Sequence, residues 1–185
     1  MSIRSAYRIY LAAGLVSVAI ILVRYFKIPY PFVVFLEYDV SGVPLGVLAL
    51  ISLRLAVSSL PVYYVVPVAL GSDLIGMAMK CLAEASTFTP LALVARKLGL
   101  HKGKSILVLS VLASAASRVL VMSLANYFVT PHWLVWAGWI KDYEKAYTIT
   151  LTYLPHVAFF NLTVALIVTP LALVAYQVLK RAGLA

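Results

Sequence analysis

Long apolar stretches, several of them close to twenty residues, are separated in this chain by short connections that carry most of its charge. That pattern admits few folds. Roughly twenty apolar residues span a bilayer as a helix, and lipid forces a spanning element to satisfy its own backbone polar groups. Hydrophobic residues fill 64% of the 185 positions and charged residues 11%, against about 25% charged in soluble domains. The chain lacks the surface that water would have to wet. It reads as an all-α membrane protein, one transmembrane domain over residues 1–185, with about six helices in a compact bundle and a structured loop between the first two.

The helices are expected at approximately 5–26, 44–53, 55–70, 71–98, 104–129 and 147–179. Pro29 and Pro31 interrupt helical hydrogen bonding in 27–39, which reads as the loop. Pro61 and Pro67 are expected to kink the third segment, and 131–145 reads as a Trp-rich connection. The first apolar run follows Arg4 and Arg8, as in a signal peptide. Arg24-Tyr25-Phe26-Lys27 follows it in place of a small-residue cleavage site, so it is expected to be retained.

Charge gives the bundle a direction. Alternating crossings put Arg4, Arg8, Arg54, Arg96, Lys97, Lys102, Lys104, Lys180 and Arg181 on one side, with no acid. The other side holds Arg24, Lys27, Lys141 and Lys145 together with Glu37, Asp39, Asp73, Asp142 and Glu144. The basic side is expected in the cytoplasm, with both termini, in the plasma membrane. Trp133, Trp136 and Trp139, with Tyr143 and Tyr147, read as an outer aromatic belt. The net charge of +9 is thereby explained without nucleic acid, and membrane lipid is the implied surroundings.

Motifs for catalysis are missing. Gly99-Leu100-His101-Lys102-Gly103-Lys104-Ser105 is one residue short of a phosphate loop and has no preceding strand, so it reads as a basic turn. There is no H-E-x-x-H, no G-x-S-x-G and no paired-Asp motif. The lone Cys81 excludes an intramolecular disulfide and reads as a packing residue. His101, His132 and His156 are scattered, and His156 reads as an interfacial hydrogen-bonding residue. The sequon Asn161-Leu162-Thr163 falls within a helix at membrane depth and is set aside. No enzyme activity, metal or resident cofactor is expected.

Polar groups at membrane depth are more informative, because they are expensive there and face the bundle interior or a wet cavity. Lys80 and Glu84 stand one turn apart on the fourth segment, and Lys80 and Arg118 both fall roughly 13–15 Å from the outer helix ends. They read either as a Glu84–Arg118 ion pair tying two helices or as part of a ligand pocket. The chain has two asparagines, Asn126 and Asn161, both in the outer halves of apolar helices. A carboxamide suits the edge of a heterocycle with alternating carbonyl and N–H groups, and serves equally as interhelical glue.

Several stretches resemble one family. Leu36-Glu37-Tyr38-Asp39-Val40-Ser41-Gly42-Val43-Pro44 resembles a Leu-Lys-Tyr-Asp-Phe-Ser-Asp-Val-Pro stretch of the riboflavin-specific S-components, the substrate-binding membrane subunits, of energy-coupling factor (ECF) transporters. Asn126-Tyr127-Phe128, Phe160-Asn161-Leu162, and Thr89-Pro90-Leu91-Ala92-Leu93 with Arg96-Lys97 are similar to further stretches of that family, in order. The resemblance implies a vitamin-capturing subunit of an importer, with riboflavin as transported ligand. Its implied partners are a transmembrane coupling protein and a cytoplasmic ATPase pair. It implies ring contacts from Asn126 and Asn161, and a lid formed by the first loop with Tyr38 and Asp39. Tyr38, Tyr127 and Phe160 are the expected stacking residues. The resemblance further implies docking on the coupling protein through small residues of the first helix, here Ala12, Ala13, Gly14 and Ser17. Val164 stands where the family has a lysine, and Glu37 and Gly42 replace its loop lysine and second loop aspartate. Lys80 is the candidate to replace the lost lysine. A subunit for another vitamin or heterocycle remains the alternative. More remote is a lipid-modifying enzyme built on Glu84, Lys80 and Arg118.

Overall fold

A computed structural model describes residues 3–99 and 103–184, with side chains from residue 6 onward. Leu100, His101 and Lys102 of the basic turn, and the side chain of Arg4, lie outside the described residues. The chain forms α1 (Ile3–Tyr25), β1 (Ile28–Pro29), β2 (Glu37–Tyr38), α2 (Gly42–Ala69), α3 (Leu74–Val94), α4 (Lys104–Trp136) and α5 (Tyr143–Arg181). The described residues therefore hold five α-helices, not six.

The missing helix is inside α2. Its backbone leaves helical geometry at Ser52 (φ −156°, ψ 103°) and at neither Pro61 nor Pro67. The Ser41 hydroxyl lies 2.7 Å from that of Tyr63, although the 22 residues between them would span roughly 33 Å in a straight helix. α2 is thus folded back on itself at Ser52. The Ser52 hydroxyl accepts from the Leu55 N–H at 3.4 Å and caps the outgoing arm. Helical bonding resumes at once on both sides, so the expected second and third segments form one element with two arms.

Two other boundaries move. α4 runs through Pro131 to Trp136 and α5 begins at Tyr143, which shortens the expected Trp-rich connection and puts Trp133 and Trp136 on a helix. Proline removes one N–H and one i−4 bond, a loss that membrane helices tolerate where neighbours satisfy the freed group. The two helices have 33 and 39 residues, so they are roughly 50 and 58 Å long, well beyond a hydrocarbon slab of about 30 Å. Both helices are therefore longer than that slab is thick.

Among the described residues, α1, α4 and α5 are long and apolar enough to cross a membrane, and α2 reaches that length only when it is counted across its reversal at Ser52. Val18, Leu112, Leu120, Leu166 and Val174 point outward from them, as lipid-facing side chains do. α3 carries Lys80, Glu84 and several hydroxyls, and packs against both α2 and α4. Because lipid is as apolar as the interior, close packing rather than burial holds such helices together. Ala12, Ala19, Ala49, Ala56 and Ala92 accordingly lie in the core shared by α1, α2 and α3. Gly46 lets α2 approach α5: a Cβ there would meet that of Ala172 at 2.9 Å.

Two contacts fix which ends are neighbours. The Tyr7 hydroxyl donates to the Leu184 carbonyl at 3.0 Å, so the chain begins and ends on the same side. At the far side the Arg24 guanidinium donates to the Leu70 carbonyl at 2.8 Å, a cation at a helix C-terminus. The first loop covers part of that far side as a small hairpin, with Ile28 opposite Tyr38 and Pro29 opposite Glu37. Lys27 and Glu37 form an ion pair at 2.6 Å. Tyr30 and Val33 are buried with Phe160, Val164 and Val168 of α5. The loop is docked as a packed element.

Candidate functional site

Beneath that loop lies a cavity of about 260 Å³, walled by the loop, α3, α4 and α5. On α4 the wall is one stripe: Arg118, Met122, Asn126, Thr130 and Trp133, spaced by four, four, four and three residues and so stacked on a single face. On α3, Asp73, Gly76, Met77, Lys80 and Ala83 form the matching stripe. Asp73 begins that helix by accepting from the Gly76 N–H. α5 contributes Phe160 and Asn161, and the loop contributes Phe35, Leu36, Glu37 and Asp39.

A chain of charge runs along the floor. Asp39 Oδ2 is 2.8 Å from Lys80 Nζ, which is 2.8 Å from Glu84 Oε1. Glu84 Oε1 is 3.4 Å from Arg118 Nη1. Arg118 also donates to Thr87 Oγ1 and, through Nε, to Asn161 Oδ1, both at 3.0 Å. Glu84 and Arg118 are each 1% exposed. Isolated charges at such burial are prohibitive, whereas two carboxylates, an ammonium and a guanidinium balance. The network joins loop, α3, α4 and α5. Gly42 makes room for it, because a Cβ there would run into the Glu84 carboxylate and come within 2.8 Å of Val168.

Asp39 is the loop's anchor. Its Oδ1 accepts from the Ser41 N–H at 2.8 Å and from the Ser41 hydroxyl, which also meets Tyr63. Burial alone would raise the Asp39 carboxyl. The Lys80 ammonium and the Ser41 hydrogen bonds outweigh it and hold the group below the usual carboxylate range.

The sequence-expected residues divide. Asn126, Asn161, Asp39, Phe160 and Lys80 all line the cavity. Tyr38 stands one layer back, tilted on Phe160 at 4.8 Å with its hydroxyl 2.9 Å from Thr163 Oγ1. Tyr127 is turned away from the cavity and is bonded to the Tyr147 hydroxyl. Successive helical residues point about 100° apart, so Tyr127 does not share a face with Asn126. The two expectations for the ionisable residues are not exclusive: Glu84 and Arg118 pair, and Lys80 and Arg118 line the cavity. Both asparagines also serve locally. Asn126 donates to the Met122 carbonyl at 2.8 Å and accepts from Thr130 at 2.9 Å. Asn161 donates to the Val157 carbonyl at 2.9 Å. His156 stacks on Phe32 of the loop at 5.3 Å.

On α1, Ala13, Gly14 and Ser17 are exposed while Ala12 is buried in the core, so the small-residue face excludes Ala12. Trp133, Thr130, Met122 and Phe35 were not anticipated as cavity residues. The four-residue spacing from Arg118 through Asn126 marks the first three once α4 is continued past Pro131.

No family model matches the sequence, and no curated protein matches it. Among solved structures, the chain is similar to one described as "Structure and mechanism of the S component of a bacterial ECF transporter", with a TM-score of 0.75. The sequences are 20% identical, over 96% of this chain and 97% of that one. At that identity the likeness is one of fold: a multi-pass helical membrane fold extending over nearly the whole length of both chains.

Proposed function

We propose that this chain is the substrate-binding membrane subunit of an ECF-type importer, and that it captures riboflavin from outside the cell. One observation carries the reading: in a fold shared with an S component, both asparagines of the chain line one cavity beneath a docked loop. The cavity combines a few convergent polar groups with apolar and aromatic walls, as small-molecule sites do. Phe160 offers a face for a flat ring. The loop acts as lid, its Asp39 latched to Lys80 and its Phe35 and Tyr30 packed on α4 and α5.

The distribution of basic residues supports cytoplasmic termini and an outward-facing cavity. Energy for release then comes from partners: a cytoplasmic ATPase pair acting through a transmembrane coupling protein. The exposed Ala13, Gly14 and Ser17 offer that protein a close-packing face, since nothing lies within 4 Å of a Cβ built on Gly14.

A second reading keeps the subunit but changes the vitamin. Val164 is 2% exposed and packs against the loop cluster, so no cation stands where riboflavin-type relatives have their lysine. Lys80, already on the cavity wall, is the residue that would replace it. Protein purified from a flavin-containing host tests both readings through its absorbance. A co-purified flavin spectrum is expected. A colourless protein that leaves riboflavin fluorescence unquenched excludes the first and favours the second.

A further inference from the structure

Among the described residues only two buried side-chain polar atoms have no hydrogen-bond partner, Trp133 Nε1 and Thr169 Oγ1. Trp133 lines the cavity and Thr169 does not. A hydroxyl can rotate toward a partner or donate weakly to its own helix. An indole has one N–H in a fixed direction and no acceptor. An unmade bond of this kind is costly in a protein interior, which makes each such group a question about what completes it. The ring is also held in place. Phe35 of the loop meets it edge-on at 5.4 Å, and Trp139 lies against it at 5.3 Å.

The position on α4 adds direction. Trp133 follows Asn126 by seven residues, two turns along the cavity stripe, or roughly 10 Å of rise. A fused two- or three-ring heterocycle is about that long. We propose that Trp133 recognises the ligand: its indole N–H donates to an acceptor of the bound heterocycle, a carbonyl oxygen or an unprotonated ring nitrogen. This inference rests on the reading of the cavity as a heterocycle site. It adds a specificity rule, since a donor-only group favours ligands with an acceptor at that end and disfavours those presenting N–H or NH₂ there. In this structure Nε1 itself is covered although the ring lines the cavity, so the contact forms when the ring and Phe35 of the loop shift, which links ligand contact to loop position through one side chain.

The test uses full-length protein in detergent and the Trp133→Phe variant, which keeps an aromatic ring against Phe35 and deletes the donor. Riboflavin affinity is expected to fall about 5- to 100-fold, while the melting temperature without ligand stays level or rises because an unsatisfied donor has been removed. In ¹⁵N-tryptophan-labelled wild type, the Trp133 indole resonance is expected to move on riboflavin addition. Unchanged affinity in the variant, or an unmoved resonance at saturation, overturns the proposal. Failure of the riboflavin reading looks different: the wild type does not bind riboflavin. The same two measurements are then made with the compound released from the purified wild type by acid denaturation, with the same expected results. A wild type that neither binds riboflavin nor releases a compound overturns both.

Discussion

Replacing Lys80 by Met takes away the ammonium that Asp39 and Glu84 share, each at 2.8 Å. The Asp39 and Glu84 side chains are 4% and 1% exposed, so water does not compensate either carboxylate. Breaking a buried pair by removing one partner costs about 3–5 kcal/mol. The low end applies here, because the Lys80 side chain is itself 16% exposed, Arg118 stays at 3.4 Å from Glu84, and Ser41 stays on Asp39. A loss of about 3 kcal/mol lowers the melting temperature by roughly 6–12 °C in a chain of this size. Adding Glu84→Gln to Lys80→Met restores charge balance between Asp39 and Arg118. The double variant is therefore expected to recover part of the loss, through a coupling of about 1–2 kcal/mol. Thermal unfolding in detergent reads both quantities. A Lys80→Met protein melting within about 2 °C of wild type, or a double variant whose losses simply add, refutes the account of the network as a charge-balanced unit. The same variant is expected to bind riboflavin more weakly; unchanged affinity removes Lys80 from the site.

Gly42→Ala pushes a methyl group into the Glu84 carboxylate and Val168, and is expected to destabilise the protein by about 1–3 kcal/mol, measured by the same melting experiment. Acid is expected to weaken the loop latch. Asp39 titrates below its unfolded value, so its stabilisation is complete above the ordinary carboxylate range and is lost as pH falls through the lowered value. Melting temperature against pH should show this acid limb in wild type and a shallower one in Asp39→Asn.

Much of the fold was legible because apolar length and charge placement are local signals. The α2 reversal was nearly so: a boundary was expected at 53–55, and the turn is at Ser52. A single residue suffices for it, so no loop announces it and only Ser52 and Arg54 mark the place. Pro131 reads as a stop by a rule that holds for isolated helices in water, whereas α4 continues through it with neighbours on either side. Ala12 is grouped with Ala13, Gly14 and Ser17 by resemblance and small size on α1, neither of which says which side of the helix turns inward. Its inward face is chosen by the packing of α2 and α3 against it, which composition does not encode. The Glu84–Arg118 pair is one of the two readings that helical depth leaves open, and the structure shows it. The Asp39–Lys80 pair was not legible, since it depends on where a loop lands, and neither was the unpartnered nitrogen of Trp133. Asn126 and Asn161 stand out through rarity, being the only two of their kind, and the fold brings both to one cavity, from α4 and from α5.

If these two amides and the cavity between them hold riboflavin, substituting either one weakens binding in a riboflavin fluorescence-quenching titration of purified wild type beside Asn126→Ala and Asn161→Ala. The account predicts saturable one-to-one quenching by wild type and an affinity at least about tenfold weaker in each variant, about 1.4 kcal/mol per lost contact. Saturable binding that survives both substitutions unchanged would contradict it.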